Sequence, residues 1–327
     1  MKRQFPYIVA LCLLLPIASR AQFYTAGNDQ GSLRWKSIRT EDFKLIYPNG
    51  ADSLARIYAY KLEQYKYDVG RSAGAYPNQN FRRPLPVVLH VQTAHSNGSV
   101  NWLPQGMNFY TLPDALSPDV LPWEDMLAIH ESRHAAQLQL AGSKGFKGFR
   151  AVSGDLFGAA LSALYPSDWF LEGDAVVAET GLTASGRGRS ADFLEYYRAA
   201  FDEGDFRNWY RWRYGSYRHF TPDHYKIGYL TLGGARYLYD EPNFSAIYFD
   251  NTHGKFFPLA FDALNRTLKQ VSGKKLKAVW NEIAEAQDSI WKEDIASRGE
   301  FVQRERVSPE ASRFTQYTGT TALEGQL

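Results

Sequence analysis

The stretch MLAIHESRHAAQLQL (residues 126–140) determines how the rest of the chain is interpreted, because it predicts a helix with two histidines on one face. His130 and His134 are four residues apart, about one helical turn, so both imidazoles are able to reach one metal ion. Glu131 follows the first histidine and lies along the same side of the helix. The order His-Glu-x-x-His is typical of a zinc site in which the glutamate takes a proton from a water molecule that zinc activates.

A third candidate ligand is Glu172, in DWFLEGDAVVAET (residues 168–180), where a second helix begins after an aromatic pair. A carboxylate from this helix completes a His-His-Glu set around Zn²⁺ and leaves a fourth position for water. Two simpler interpretations remain open: a helix with two structural histidines, and a glutamate that the helix dipole favours near a helix start. The presence of both features in this order favours the metal site.

The first 21 residues, MKRQFPYIVALCLLLPIASRA, predict a secretory signal peptide that is cleaved after Ala21. Its apolar run, over residues 7–17, is too short for a permanent membrane anchor. Cys12, the one cysteine, lies inside this run, so the mature chain has no disulfide, no thiol nucleophile and no lipid-bearing cysteine. We therefore expect an exported protein of the periplasm, the cell envelope or the secreted fraction, with no transmembrane segment.

The composition predicts a globular chain that does not bind nucleic acid. Hydrophobic residues make up 44% and charged residues 22% of 327 residues, which is enough for a sizeable core. The formal charge of +2 belongs to the signal, which carries three basic residues and no acidic one. The mature chain has 34 Lys and Arg against 35 Asp and Glu, a balance that argues against a nucleic-acid partner.

The order of predicted elements indicates an α+β fold. β-branched and aromatic residues bounded by turn residues predict strands over residues 42–48, 84–93 and 107–113. Apolar residues at helical spacing predict a helix within residues 51–74. From Trp123 the pattern is helical, with helices predicted over residues 123–141, 151–164, 169–182, 190–202, 223–239 and 275–297. A mixed, twisted sheet with one helix is thus followed by a mostly helical lobe.

This order also predicts the domain organisation. We expect an α/β sublobe over residues 22–120 and a helical sublobe over residues 121–300 that carries the candidate ligands. Residues 301–327 are expected to be a linker and the start of a truncated β domain. MNFYTLP (residues 107–113) has two interpretations, an edge strand that pairs with an extended peptide or an interior strand. Asn97 and Gly98 predict a turn before it.

A known family is similar in the segments that carry the candidate ligands. HESRH (residues 130–134), followed by WFLEGDAVVAE (residues 169–179), resembles the gluzincin metallopeptidases, the group that includes thermolysin and the aminopeptidase N family. The resemblance implies a zincin-like fold, in which an edge strand of a twisted sheet holds the substrate. It further implies that His130, His134 and Glu172 bind Zn²⁺ and that Glu131 is the general base.

A further match lies in DHYKIGYLTLGG (residues 223–234), which contains Tyr225 and Gly228 as Y-x-x-G. Aminopeptidase N relatives carry a similar pattern, and its tyrosine hydrogen-bonds the oxyanion of the tetrahedral intermediate. The resemblance therefore implies this role for Tyr225, with His224 as the weaker candidate. The alternative is that Tyr225 is one of 21 tyrosines and packs a helix.

More closely, the chain resembles an exported bacterial family in which a peptidase MA-like domain precedes a TolB-like β-propeller. This resemblance implies a peptide or protein substrate, together with a C-terminal propeller or an envelope partner. The segments that carry it are YTAGNDQGSLRW (residues 24–35), AIHESRH (128–134), LEGDAVVAET (171–180), SGRGRSADFLEYYR (185–198) and the strand-like tail.

Arg133 departs from the zincin pattern, which has uncharged residues between the glutamate and the second histidine. We expect Arg133 to face away from the metal side and to pair with Glu124, with Asp125 or with a carboxylate of the second helix. Asp174 and Glu179 follow Glu172 on that helix. They are interpreted as solvated helix charges in preference to groups that orient the histidines.

Two arginine-containing stretches have weaker interpretations. FRNWYRWRYGSYRHF (residues 206–220) interleaves Arg with aromatic residues and predicts packing near the cleft, or a glycan or partner surface. SGRGRS (residues 185–190) is a weak phosphate-loop candidate because no strand precedes it.

The first hypothesis is thus an exported zinc metallopeptidase. The second is a catalytically inactive peptidase-like binding module of the cell envelope next to a propeller, and the third is a glycan-binding envelope protein.

Overall fold

The computed structural model describes residues 29–75, 84–102, 104–115, 119–141, 151–154, 167–253, 262–300, 302–303 and 305. Within these residues the predicted α+β fold is confirmed: a mixed five-stranded sheet with one helix is followed by a mostly helical lobe. The predicted signal peptide, most of the helix predicted over residues 151–164 and nearly all of the strand-like tail lie outside the described residues.

The sheet has the strand order β1-β2-β3-β5-β4. Its central strands pair in parallel, β2 with β3 and β3 with β5, while β1 and β4 pair antiparallel with their neighbours. Helix α1 (Asp52–Ala73) connects the parallel strands β2 and β3, as parallel pairing requires a crossover. The strands are β1 (Trp35–Arg39), β2 (Phe43–Pro48), β3 (Leu85–His90), β4 (Ser96–Trp102) and β5 (Gln105–Thr111).

Of the two interpretations of residues 107–113, the interior strand is the observed one, because β5 lies between β3 and β4. One prediction for the sheet is wrong: Asn97 and Gly98, where a turn was predicted, belong to β4, one of the two edge strands. Asn-Gly favours a turn locally, but Gly98 pairs with Phe109 of β5. It also lies against Leu127 and Glu131, where a Cβ atom would come within 3 Å of both side chains. Cross-strand pairing therefore overrides the local preference.

The helical lobe follows the predicted ranges closely where they are described. The helices predicted over residues 169–182, 190–202, 223–239 and 275–297 are present to within about one residue at each end. Three others, over residues 209–214, 244–253 and 263–272, were not predicted. The helices are α2 (Trp123–Ala141), α3 (Asp168–Leu182), α4 (Ala191–Asp202), α5 (Trp209–Tyr214), α6 (His224–Tyr239), α7 (Phe244–His253), α8 (Ala263–Ser272) and α9 (Leu276–Ser297), with a 3₁₀ turn at Arg187–Arg189.

The main core lies between the sheet and helices α1 and α2. Strand β2 alternates, with Phe43, Leu45 and Tyr47 buried and Lys44 exposed, as expected for a strand covered on one face. Tyr58 and Leu62 of α1 and Leu127 of α2 pack on that face. Each fully buried side chain of this size stabilises the fold by about 1.5–3 kcal/mol. This packing fixes α2, and with it the His-Glu-x-x-His segment, against the sheet.

Helices α3 and α6 cross in backbone contact at Gly173 and Gly228. A Cβ atom on Gly228 would lie 2.0 Å from the carbonyl oxygen of Trp169, and one on Gly173 would lie 2.4 Å from the Cα atom of Gly228. No other residue type fits either position, because real Cβ atoms do not approach backbone so closely. We call this contact the glycine crossing. It brings Tyr225, one turn before Gly228, beside Glu172 of α3.

The chain divides into two compact units, one that ends at Asp288 and one that begins at Ser289. Everything that follows on the site concerns the first unit. In the part of the chain that the structure describes, no helix has the length and apolarity needed to span a bilayer.

Candidate metal centre

Three ligand atoms from two helices converge at one point. The Nε2 atoms of His130 and His134 lie 3.0 Å apart, and Oε2 of Glu172 lies 3.1 Å from the first and 3.2 Å from the second. In a tetrahedral zinc site with bonds of about 2.0 Å, neighbouring ligand atoms are about 3.3 Å apart. The observed separations are therefore those of a nearly formed metal site. The structure brings together all three residues that the sequence indicated as ligands.

The charge distribution at this point favours a cation. Burial opposes a charge on His130, but hydrogen bonds to Glu172 and Glu179 outweigh this effect and raise the pKa of its imidazole to about 9. Burial raises the pKa of Glu172, but the two histidines overcome it and hold that pKa well below its usual range. The ionised carboxylate of Glu172 thus lies between two imidazoles, and its charge is balanced either by protons on these imidazoles or by a divalent metal ion.

Glu131 is buried beside the triad. Its Oε2 atom has no hydrogen-bond partner among the described residues. Its Oε1 atom lies under strand β4, where a Cβ atom on Gly98 would approach it to 2.3 Å. Burial raises the pKa of Glu131, although the neighbouring histidines act in the opposite direction. A buried acceptor without a donor needs explanation, and a water molecule on a metal ion held by the triad would supply that donor.

Glu179 orients His130 from the side opposite the metal. Its Oε1 atom accepts a hydrogen bond of 2.6 Å from Nδ1 of His130, which leaves the Nε2 lone pair for a metal ion. Glu179 lies seven residues after Glu172, two helical turns, so both carboxylates share one face of α3. The interpretation of Glu179 as a solvated helix charge is therefore wrong, because the side chain is fully buried.

Arg187 is a site residue that the sequence did not reveal. Its Nε and Nη2 atoms donate to the two oxygens of Glu179 at 2.9 and 2.6 Å. Its Nη2 atom is also 2.9 Å from Nδ1 of His130, but both groups are donors and share Glu179 as acceptor. Burial lowers the pKa of Arg187, but the charge of Glu179 outweighs this effect and raises the pKa above its usual value. Arg187 is the first arginine of SGRGRS (residues 185–190). Its guanidinium binds Glu179 and is therefore not available to a phosphate.

Tyr225 lies at the edge of the same site. Its ring is stacked on that of His130, with 6.3 Å between centroids, and the Arg187 guanidinium lies 5.3 Å from its centre. Burial, and then the charge and hydrogen bonding of Glu172, raise the pKa of the phenol, so Tyr225 keeps its proton and remains a donor. His224 faces elsewhere, with Nδ1 at 3.9 Å from Oδ2 of Asp168.

Arg133 is buried, and its guanidinium is directed to α1 and α3 instead of to the triad, as expected. Its Nε and Nη2 atoms donate to both oxygens of Asp174 at 2.7 and 2.8 Å, a bidentate ion pair with the second helix. Glu124 and Asp125 are not its partners, and Asp125 pairs with Lys61 at 2.7 Å. Asp174 is completely buried, so its interpretation as a solvated charge is wrong.

Two other candidates do not form comparable sites. Within residues 206–220, Trp209 and Trp212 are buried, and Arg207 packs over the Trp212 ring at 4.3 Å, so the tryptophans belong to the core. The second acidic group consists of Glu41, Asp42 and Glu63, and the ammonium of Lys66 contacts all three carboxylates. The ammonium of Lys66 thus already occupies the position between these carboxylates.

Comparisons of the chain with protein families, with curated proteins and with solved structures found no match. The site is therefore defined by its geometry: two histidines and a glutamate, one buried and two partly buried, whose ligand atoms lie close enough together to hold a metal ion.

Proposed function

We propose that this chain is a zinc-dependent metallopeptidase that hydrolyses peptide bonds. One observation carries the proposal: three zinc-ligand atoms converge beside a buried glutamate oxygen that has no partner among the described residues. Nitrogen and carboxylate ligands in a nearly tetrahedral arrangement suit Zn²⁺. Three protein ligands leave a fourth position open, which is the arrangement of catalytic zinc sites in preference to structural ones.

The side chains around the site divide the hydrolysis between them. When bound, zinc supplies positive charge that lowers the pKa of water to about 7 and polarises the substrate carbonyl. Glu131 takes the proton from the attacking water as the new C–O bond forms, and returns it to the amine as the C–N bond breaks. The O–H group of Tyr225 donates a hydrogen bond to the developing oxyanion. Glu179 and Arg187 keep the His130 ring in place.

We further propose that the substrate is a peptide or a protein segment that binds in an extended conformation along β4. This strand is one of the two edge strands of the sheet, and it approaches Glu131 at Gly98. An edge strand offers unpaired backbone groups to an extended chain. The signal-like residues 1–21 support export to the periplasm, the cell envelope or the medium. The strand-like tail supports a propeller or envelope partner on the C-terminal side.

The decisive experiment compares the purified mature protein with Glu131→Gln. Both proteins are expected to bind one zinc ion, because Glu131 is not a ligand, and only the wild type cleaves a peptide library. General-base catalysis contributes about 10²–10⁴-fold, so the variant should lose at least that factor. A wild type that binds no zinc would refute the proposal. Zinc binding with equal inactivity of both proteins would instead favour the inactive binding module.

A further inference from the structure

Gln137 links His134 to the ion pair between Arg133 and Asp174. It lies on α2 one turn after His134 and is buried, with 2% of its surface exposed. Its Oε1 atom is 2.8 Å from Nδ1 of His134. Its Nε2 atom donates to the backbone carbonyl of Leu171 at 3.1 Å and to Oδ2 of Asp174 at 2.9 Å.

These contacts fix the orientation of the amide. A carbonyl oxygen and an ionised carboxylate only accept hydrogen bonds, so the NH₂ group of Gln137 must face Leu171 and Asp174. The oxygen of Gln137 therefore faces His134, and since that oxygen only accepts, Nδ1 of His134 must carry the hydrogen. The Nε2 atom of His134 is then left with its lone pair, which points to the position shared with His130 and Glu172.

Asp174, which holds the amide from the other side, is itself held by the motif arginine. The guanidinium of Arg133 donates to both of its oxygens, at 2.7 and 2.8 Å, so Asp174 meets Gln137 as an ionised acceptor. Ser245 and Arg236 also donate to its Oδ1 atom.

The remaining donors of Arg133 reach the end of helix α1. Its Nη1 atom donates to the carbonyl of Val69 and to Oγ of Ser72, at 2.7 and 2.6 Å. A continuous series of hydrogen bonds thus runs from α1 through Arg133, Asp174 and Gln137 to the imidazole of His134.

We propose that Gln137 is a positioning residue for His134, and that the Arg133–Asp174 ion pair holds Gln137 in the orientation that leaves the Nε2 atom of His134 free for the metal. This inference rests on the proposed metal site. It also assigns a role to Arg133, the arginine that departs from the zincin pattern. Arg133 helps to orient His134 through Asp174 and Gln137.

The two histidines differ in the group that faces Nδ1, and this difference explains why His134 depends on the groups behind Gln137. Nδ1 of His130 faces the carboxylate of Glu179, which is an acceptor in either orientation. Nδ1 of His134 faces an amide, which is a donor or an acceptor depending on how it is turned. Only the groups behind Gln137 decide which, so the tautomer of His134 depends on residues that do not touch it.

The first test compares Gln137→Met with Asn251→Leu. Both variants replace a buried amide by an apolar side chain of similar size, and Asn251 donates to Thr267 and Gln270, away from the triad. Competition with a chelator should show zinc bound about 10–100-fold more weakly by Gln137→Met, the usual cost of losing a group that orients a ligand. Asn251→Leu should change zinc affinity by less than about threefold, whatever its unfolding temperature.

The second test needs no substitution. Protein labelled with ¹⁵N in histidine is examined by NMR, both loaded with zinc and metal-free at alkaline pH. We expect the hydrogen of His134 on Nδ1 in both states; a hydrogen on Nε2 overturns the inference, even if Gln137→Met fails to fold.

The outcomes also separate this inference from the proposed function. A wild type that holds no zinc refutes the metallopeptidase, while the metal-free tautomer still decides the role of Gln137. A wild type and a folded Gln137→Met that bind zinc equally refute the inference alone.

Discussion

Helix α2 has two buried polar faces, and they differ in how completely their groups are paired. On one face, the Nε2 atoms of His130 and His134 converge on Glu172, and Glu131 keeps an oxygen without a partner among the described residues. On the other face, Arg133 donates to Asp174 and to the end of α1. We call them the open face and the closed face. The unpaired oxygen of Glu131 lies beside three converging ligand atoms, whereas the paired groups of the closed face hold helices α1, α2 and α3 together.

The largest expected effect is on the closed face, with Arg133→Met. The substitution leaves Asp174 buried without its bidentate partner, which costs about 3–5 kcal/mol of unfolding free energy. Urea unfolding of the metal-free protein measures this loss. Arg298→Met is the matched control, because it removes an exposed pair with Asp294 that is worth about 0–1 kcal/mol. Equal losses in the two variants would show that the closed face is not a structural ion pair.

The next effect is on the open face, with Tyr225→Phe. Loss of the phenolic donor should lower kcat by about 10²–10³-fold with little change in stability or zinc affinity, because the ring remains. Tyr197→Phe is the control, since its buried hydroxyl has no partner among the described residues. A fall in kcat of less than about threefold for Tyr225→Phe would remove this residue from the mechanism.

Gly228→Ala tests whether the position of the open face depends on the glycine crossing. The added methyl group meets backbone on both sides, so we expect a loss of about 3 kcal/mol, at the upper end of the overpacking range. Gly70→Ala in α1 is the control, because its Cβ atom would meet nothing within 4 Å. That substitution should be neutral or stabilise by about 0.5–1 kcal/mol. Thermal unfolding of both variants provides the comparison.

The smallest expected effect is the acid sensitivity of the closed face. The pKa of Asp174 is about 2 when folded and 3.8 ordinarily, so its contribution is complete above pH 3.8 and is lost as the pH falls towards 2. This shift corresponds to about 2 kcal/mol. Glu179, with a pKa of about 2, adds a loss of the same sign. Unfolding of the metal-free protein between pH 5 and 2 should therefore be less pH-dependent in Asp174→Asn, and an unchanged dependence would contradict the assignment.

The open face was largely predictable from the sequence, because its key spacing is local. Two histidines four apart on a helix must share a face, and a further carboxylate on a following helix suggested the third ligand. The pairing of Arg133 with a carboxylate of the second helix was also among the expectations. These inferences needed no knowledge of how the helices pack.

The closed face and the supports of the open face were not predictable in the same way. Asp174 and Glu179 were taken as solvated charges, since charges on helices usually are, and only the packing of α3 against α2 and α6 buries them. Arg187 enters the site from a short turn with no local pattern. Strand β4 was missed because Asn97 and Gly98 favour a turn until β5 pairs with them.

The glycine crossing has a consequence for how this chain tolerates change. A large residue in a core contact is usually compensated by a smaller one opposite, but Gly173 and Gly228 have no smaller residue to change to. The two positions therefore lack any compensating pair, and each is constrained independently of the other. The patterns Glu-Gly at residues 172–173 and Tyr-x-x-Gly at residues 225–228 accordingly both reflect one close backbone contact between two helices.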